Sequence, residues 1–387
     1  MRAFCYVQQL SGVGHMVRTQ EIAQAIAQRH QVTVMDGGRE LAFPPTVQRL
    51  RLPRLARREG VLTPLQPGQA LAQALQLRSQ SLQNYLATQR PDLVLVEHFP
   101  FSKWELADEI DTLLQAARRC RPGVKVVCSL RDIAPPTRYE QTQDYAQQVV
   151  DRLNRQFDAL LVHADPELCS IDDFFPALAD IGVPVVHTGI VAPQPLPAGR
   201  PASPPGMMLP GDYIVASIGG GADDGLLLQR VTHAWQRLKA QGELGTMTLL
   251  LFTGLAGHPS PRPGALSPGP DAIHYMGFDH QFRHWLQGAR LSIRCAGYNT
   301  CASLLVAGVP ALLAPNLAMS DQLERARMLA RRGIAACVPP ATAASDPLPA
   351  MILEALDNRP APHSINVEGA ANSARYLEAL VSGLHIQ

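Results

Sequence analysis

Aromatic residues are scarce, 5% of 387, so the chain has few side chains suited to stacking on a saccharide. Charge is also sparse at 17%, and 34 Lys and Arg against 33 Asp and Glu leave a net +1. No global field favours nucleic acid or a strongly acidic partner. The seven cysteines, at positions 5, 120, 128, 169, 295, 301 and 337, are odd in number and form no C-x-x-C pair. Lying mostly inside apolar runs, they read as reduced, buried thiols of a cytoplasmic protein. No stretch reaches the roughly 18 apolar residues needed to cross a bilayer. The apolar run at 3–7 is too brief for a signal peptide, so any membrane contact would be peripheral. No metal-binding carboxylate motif and no internal repeat is found.

What is present is apolar material for sizeable cores, 46% of residues, in a length that suits two domains. Strand-like runs at 3–7, 32–35, 93–97, 125–130 and 159–162 alternate with helical spacing at 19–28, 69–88, 104–120 and 141–157. Such alternation implies an α/β fold with parallel, doubly wound sheets. A proline-rich stretch at 191–210 reads as a linker between a domain at 1–190 and a second at 211–365. The second series places strands at 213–217, 247–252, 274–276, 291–294, 311–314 and 335–338, with a proline- and glycine-rich surface loop at 258–270.

Chemistry-bearing residues gather at strand ends. Gly12-Val13-Gly14-His15 follows the first strand, where the glycines admit a substrate and a histidine suits proton abstraction from a hydroxyl. A dinucleotide fingerprint would need a third glycine where Val17 stands. Glu97-His98-Phe99-Pro100 ends another strand; it either contacts an acceptor, with His98 a second base, or shapes the turn. Asp132, after Arg131, either orients a catalytic histidine or binds an acceptor. Arg49, Arg51, Arg54, Arg57 and Arg58 form a basic run that is either a solvated face or a contact for an anionic acceptor or membrane surface.

In the second half, Gly219-Gly220-Gly221 has the form of an anion-binding nest of successive N–H groups. Arg294-Cys295-Ala296-Gly297-Tyr298-Asn299-Thr300 reads as a strand end, a glycine turn and a helix N-terminus whose free N–H groups suit a phosphate. Asp321-Gln322 opens a later helix, and Arg325 and Arg327 read as solvated helix charges.

Together these motifs resemble the predicted glycosyltransferases related to the enzyme that transfers N-acetylglucosamine in peptidoglycan assembly. The resemblance implies a GT-B fold: two Rossmann-like domains facing across a cleft, with a C-terminal helix over 366–387 crossing back to the first. It implies transfer of a sugar from a nucleotide-sugar, UDP-linked, by inverting displacement with His15 as base and no metal or other cofactor. Gly219, Gly220, Gly221, Gly297, Tyr298, Asn299, Thr300, Ser303, Asp321 and Gln322 would hold the donor. Gly12, Gly14, Glu97 and Phe99 would border a small-molecule or lipid-linked acceptor, and His15, His98 and Asp132 would form the catalytic group. Ser303 stands where the family carries a ribose-holding glutamate, and a single shorter hydroxyl makes only part of that contact. That departure keeps open a non-catalytic nucleotide-sugar-binding protein; a UDP-N-acetylglucosamine 2-epimerase shares the fold.

Overall fold

The computed structural model describes residues 1–10, 12–38, 42–133, 144–196, 211–218, 226–254, 272–342 and 346–384. The expected nest at Gly219, Gly220 and Gly221, Ser11, the loop 258–270 and linker residues 197–210 lie outside them. The chain divides into two compact units, Met1–Ala192 with Ile365–Gln387, and Pro193–Ser364.

The first unit is built on β1 (Arg2–Val7), β2 (Gln31–Asp36), β3 (Gln48–Arg51), β6 (Leu93–Glu97), β7 (Lys125–Arg131), β8 (Ala159–His163) and β9 (Val185–His187). They pair in parallel in the order β3-β2-β1-β6-β7-β8-β9. β6 and β8 are buried along their whole length, which explains why they read as continuous Leu and Val runs instead of alternating ones. Helices α1 (Gly14–Ala27), α2 (Leu71–Gln89), α3 (Ala107–Cys120) and α4 (Tyr145–Gln156) make the crossovers. α3 turns Ile110, Leu113, Leu114 and Ala117 inward at helical spacing. Between β3 and α2, β4 (Leu55–Arg58) and β5 (Val61–Pro64) form an antiparallel hairpin.

The arginine run therefore folds into short strands. Arg49 and Arg51 reach the buried Asp36 carboxylate, and Arg57 pairs with Glu105. Much of the run's charge is spent within the protein, and Arg54 and Arg58 remain exposed. A second internal charge sits under β1, where Arg78 donates to both oxygens of Glu109 at 2.7 Å and to Gln8 Oε1 at 2.8 Å.

The tail joins this unit. Helix α10 (Gly369–Ser382) packs on α1, and Gly369 N–H donates to Ile190 O at 3.0 Å. A Cβ at Gly369 would collide with Gly189 O and Ile190 C, so the close backbone approach requires glycine there.

The second unit contains β10 (Tyr213–Ser217), β11 (Thr248–Phe252), β12 (Ile273–Met276), β13 (Leu291–Arg294), β14 (Ala311–Leu313) and β15 (Ala336–Cys337). Its parallel order is β12-β11-β10-β13-β14-β15, the doubly wound order of a Rossmann half-pair. Helices α5 (Leu226–Ala240), α6 (Phe282–Gln287), α7 (Tyr298–Ala307), α8 (Gln322–Arg331) and α9 (Leu348–Asp357) accompany it. In each unit the strand sequence reverses direction at one place, between β1 and β6 and between β10 and β13. Open α/β sheets bind ligands outside the carboxyl ends of the strands at such switch points.

Candidate active site

The first switch point carries a histidine held by a buried carboxylate. α1 begins at Gly14, five residues earlier than helical spacing alone indicated, so His15 lies in its first turn with Gly12 just ahead. His15 Nδ1 is 2.7 Å from Glu97 Oε1 at the end of β6. Arg18, one turn along α1, donates to the same oxygen, and Lys103 Nζ to the other. Burial alone would raise the Glu97 carboxyl, but His15, Lys103 and Arg18 overcome it and hold it well below the usual carboxylate range. Glu97 is therefore ionised and can only accept. The His15 proton must then sit on Nδ1, leaving Nε2 with a lone pair. Burial lowers the His15 pKa to about 4 despite the carboxylate, and Lys103 adds to the lowering.

His98 lies edge-on to His15, ring centroids 5.2 Å apart. Its backbone is left-handed, φ 64°, its Nδ1 is 2.9 Å from Ser102 Oγ, and its buried Nε2 has no partner among the described residues. Burial holds it neutral, well below its ordinary pKa.

Three expectations change here. Glu97, placed by sequence against an acceptor, is 2% exposed and occupied by His15, Arg18 and Lys103. Phe99 is fully buried, 5.6 Å from the Trp104 ring, with no face left for an acceptor. Asp132 accepts the Ile133 N–H at 2.7 Å; of its two expected roles, orienting His15 falls to Glu97, which leaves it contact with an acceptor. Arg18 was missed because its partner is distant in sequence, and Lys103, six residues after Glu97, because only the turn that follows β6 brings it back onto the carboxylate. The signal available was a basic residue one turn after His15 on the same helix face.

The second switch point is a braced turn. Gly297 caps α7 with φ −67° and ψ 153°, a conformation open to any residue, and among the described residues a Cβ there would meet only Thr300 Oγ1 at 3.7 Å. Backbone strain does not require glycine there, and neither does crowding by the described residues. Ala296 is held at both polar groups from α8: its N–H donates to Gln322 Oε1 at 3.2 Å, and its carbonyl accepts from Arg325 Nη1 at 2.8 Å. Gln322 Oε1 also accepts the Asn316 N–H at 3.0 Å, and Arg325 Nη2 donates to Asp321 at 2.8 Å. Arg325 is thus 2% exposed, a brace and not a solvated charge. Tyr298 and Thr300 are buried and Asn299 half-buried; Ser303 Oγ donates back to Asn299 O at 2.7 Å, inside its own helix.

Residues 218–378 match the model of the glycosyltransferase family 28 C-terminal domain. The chain has the GT-B fold, and its second unit carries the family 28 match. No curated protein matches it by sequence. Among solved structures it is similar to Arabidopsis thaliana UGT89C1 complexed with UDP, at TM-score 0.60 and 16% identity, covering 99% of each chain. It is similar to CalG4, the calicheamicin glycosyltransferase, at TM-score 0.55 and 16% identity, covering 99% of this chain and 98% of that one. It is also similar to Acinetobacter baumannii MurG, at TM-score 0.53 and 16% identity, covering 99% of each. What these glycosyltransferases share with this chain at such identity is the GT-B fold of two Rossmann-like domains. Among the described residues no cluster of three His, Cys, Asp or Glu is placed to hold a metal ion, and no helix is long and apolar enough to cross a membrane.

Proposed function

We propose that this protein transfers a sugar from a nucleotide-sugar, UDP-linked, to a hydroxyl-bearing acceptor by a single inverting displacement. The observation that carries the reading is the 2.7 Å contact between His15 Nδ1 and the ionised Glu97, which leaves His15 Nε2 as a base at a switch point. In the reaction the acceptor O–H proton moves to Nε2 as its oxygen bonds to the anomeric carbon. The bond from that carbon to the diphosphate oxygen breaks, and its electron pair leaves on the diphosphate. A neutral imidazole beside a carboxylate suits this task, since the carboxylate stabilises the imidazolium as it forms. His98 Nε2, buried and without a partner, would take a second acceptor group.

On the donor side, the family 28 match and the unexplained room at Gly297 support a ligand approaching the backbone at the start of α7. Tyr298, Asn299 and Thr300 form that turn, and Gln322 keeps its NH2 to donate to a sugar hydroxyl while its oxygen braces the turn. The helix N-terminus supplies positive charge to the departing diphosphate, so the chemistry proposed needs no metal. The test is turnover of a UDP-sugar by wild type and His15→Asn. Loss of sugar transfer with UDP affinity kept supports the reading; equal rates overturn it.

One observation favours a second reading, a nucleotide-sugar-binding protein without transfer. The Ser303 O–H is donated to Asn299 O, so a single oxygen remains to accept from the ribose where a carboxylate would offer two. A folded wild type that binds UDP and turns over no donor selects this reading.

A further inference from the structure

Four arginines are more than nine-tenths buried among the described residues: Arg18, Arg78, Arg294 and Arg325. Three are matched to a carboxylate, Arg18 by Glu97, Arg78 by Glu109 and Arg325 by Asp321. Arg294, 7% exposed, forms no ion pair among the described residues. Its Nε donates to Ser217 Oγ at 2.9 Å, its guanidinium carbon lies 4.6 Å from the centroid of the Phe282 ring, and its buried Nη1 has no partner. A hydroxyl and an aromatic face offset only part of the cost of desolvating a cation, so an anion beside Arg294 would recover part of the remainder. Burial lowers the Arg294 pKa only to about 10, so the charge persists at neutral pH.

Its place is specific. Arg294 ends β13 and Ser217 ends β10, and the two are register partners across the switch point of the second unit. Three residues on, Gly297 caps α7, whose first-turn N–H groups favour an anion. A fixed cation and a helix N-terminus thus succeed one another within four residues of chain.

We propose that Arg294 is the counter-charge of an anion site in the second unit, taking a phosphate of the donor's diphosphate together with the first turn of α7. The anion completes a pairing the protein leaves open, and the same contact strengthens as negative charge builds on the leaving diphosphate. This rests on the donor reading above, so the test separates the two. Full-length wild type, Arg294→Met and Arg294→Lys are titrated calorimetrically with UDP, uridine and inorganic pyrophosphate, and their ligand-free melting temperatures are compared. In Arg294→Met, affinity for UDP and pyrophosphate is expected to fall at least tenfold with uridine unchanged, and melting to stay at or above that of wild type. Arg294→Lys is expected to fall between the two. UDP and pyrophosphate affinities within twofold of wild type, an equal loss of uridine and UDP, or a failure of Arg294→Met to fold would each overturn the assignment. Wild type that binds pyrophosphate in an Arg294-dependent way but no nucleotide would sustain the anion site and remove the donor reading; binding of neither ligand removes both.

Discussion

At His15 the proton sits on Nδ1 because Glu97 can only accept, and that one assignment governs both reactivity and acid stability. Replacing Glu97 by Gln keeps the shape but no longer fixes the tautomer, and it strips Arg18 and Lys103 of their counter-charge. Acceptor-dependent turnover should fall by about 10²- to 10⁴-fold, read in initial rates, and melting should drop as well. A base with a pKa of about 4 stays available throughout the neutral range, so the rate should be flat from pH 8 down to about 5.5 and fall toward pH 4. Stability behaves differently. His15, His98 and His163 all have folded pKa values lowered by burial, so as pH drops below the unfolded value of about 6.5 the unfolded chain takes up protons first. Their contribution is present above that pH and lost as pH falls toward the folded values. Glu97, also depressed, adds a loss at lower pH still, below the unfolded value of about 4.3. Melting temperature should therefore decline between pH 7 and pH 5; a flat profile would contradict the buried neutral histidines.

Between elements, the α7 turn is held by side chains of α8, and the two parts of that arrangement should separate under mutation. Arg325→Met leaves Asp321 and the Ala296 carbonyl without this donor, at a cost of about 3–5 kcal/mol in urea unfolding. Gly297→Val fits the existing φ and meets little among the described residues, so stability should change by about 1 kcal/mol or less while UDP affinity falls. Unchanged affinity in a folded Gly297→Val would show that no ligand approaches that backbone. Sequence made the glycine turn legible as a motif. It did not make the brace legible, because Asp321 and Arg325 four residues apart look like an ordinary exposed helix pair until the fold buries them under Ala296. Likewise the β4–β5 hairpin was hidden in the arginine run, whose charges are paid back by Asp36 and Glu105 from elsewhere in the chain.

For the whole molecule, the parallel strands and their alternation with helices were readable because fully buried strands are continuous apolar runs, as in β6 and β8. Which carboxylate meets His15 was not readable: Glu97 and Asp132 both end strands, and only the sheet order, with β6 next to β1, selects Glu97. The tail has the same logic, since residues 365–384 complete the first unit through Gly369 and α10. Deleting 365–387 should lower the melting of the first unit, with hydrogen exchange accelerated in α1; unaltered exchange there would contradict the docking of α10 on α1.

The central claim is that His15 is the base of a sugar transfer. Its most direct test is nucleotide release from a panel of UDP-, TDP- and GDP-sugars by purified wild type and His15→Ala, with and without acceptor alcohols. The account predicts release with one donor class, accelerated by acceptor in wild type and not in His15→Ala, at equal nucleotide affinity. Equal acceptor-stimulated release by both proteins would contradict it.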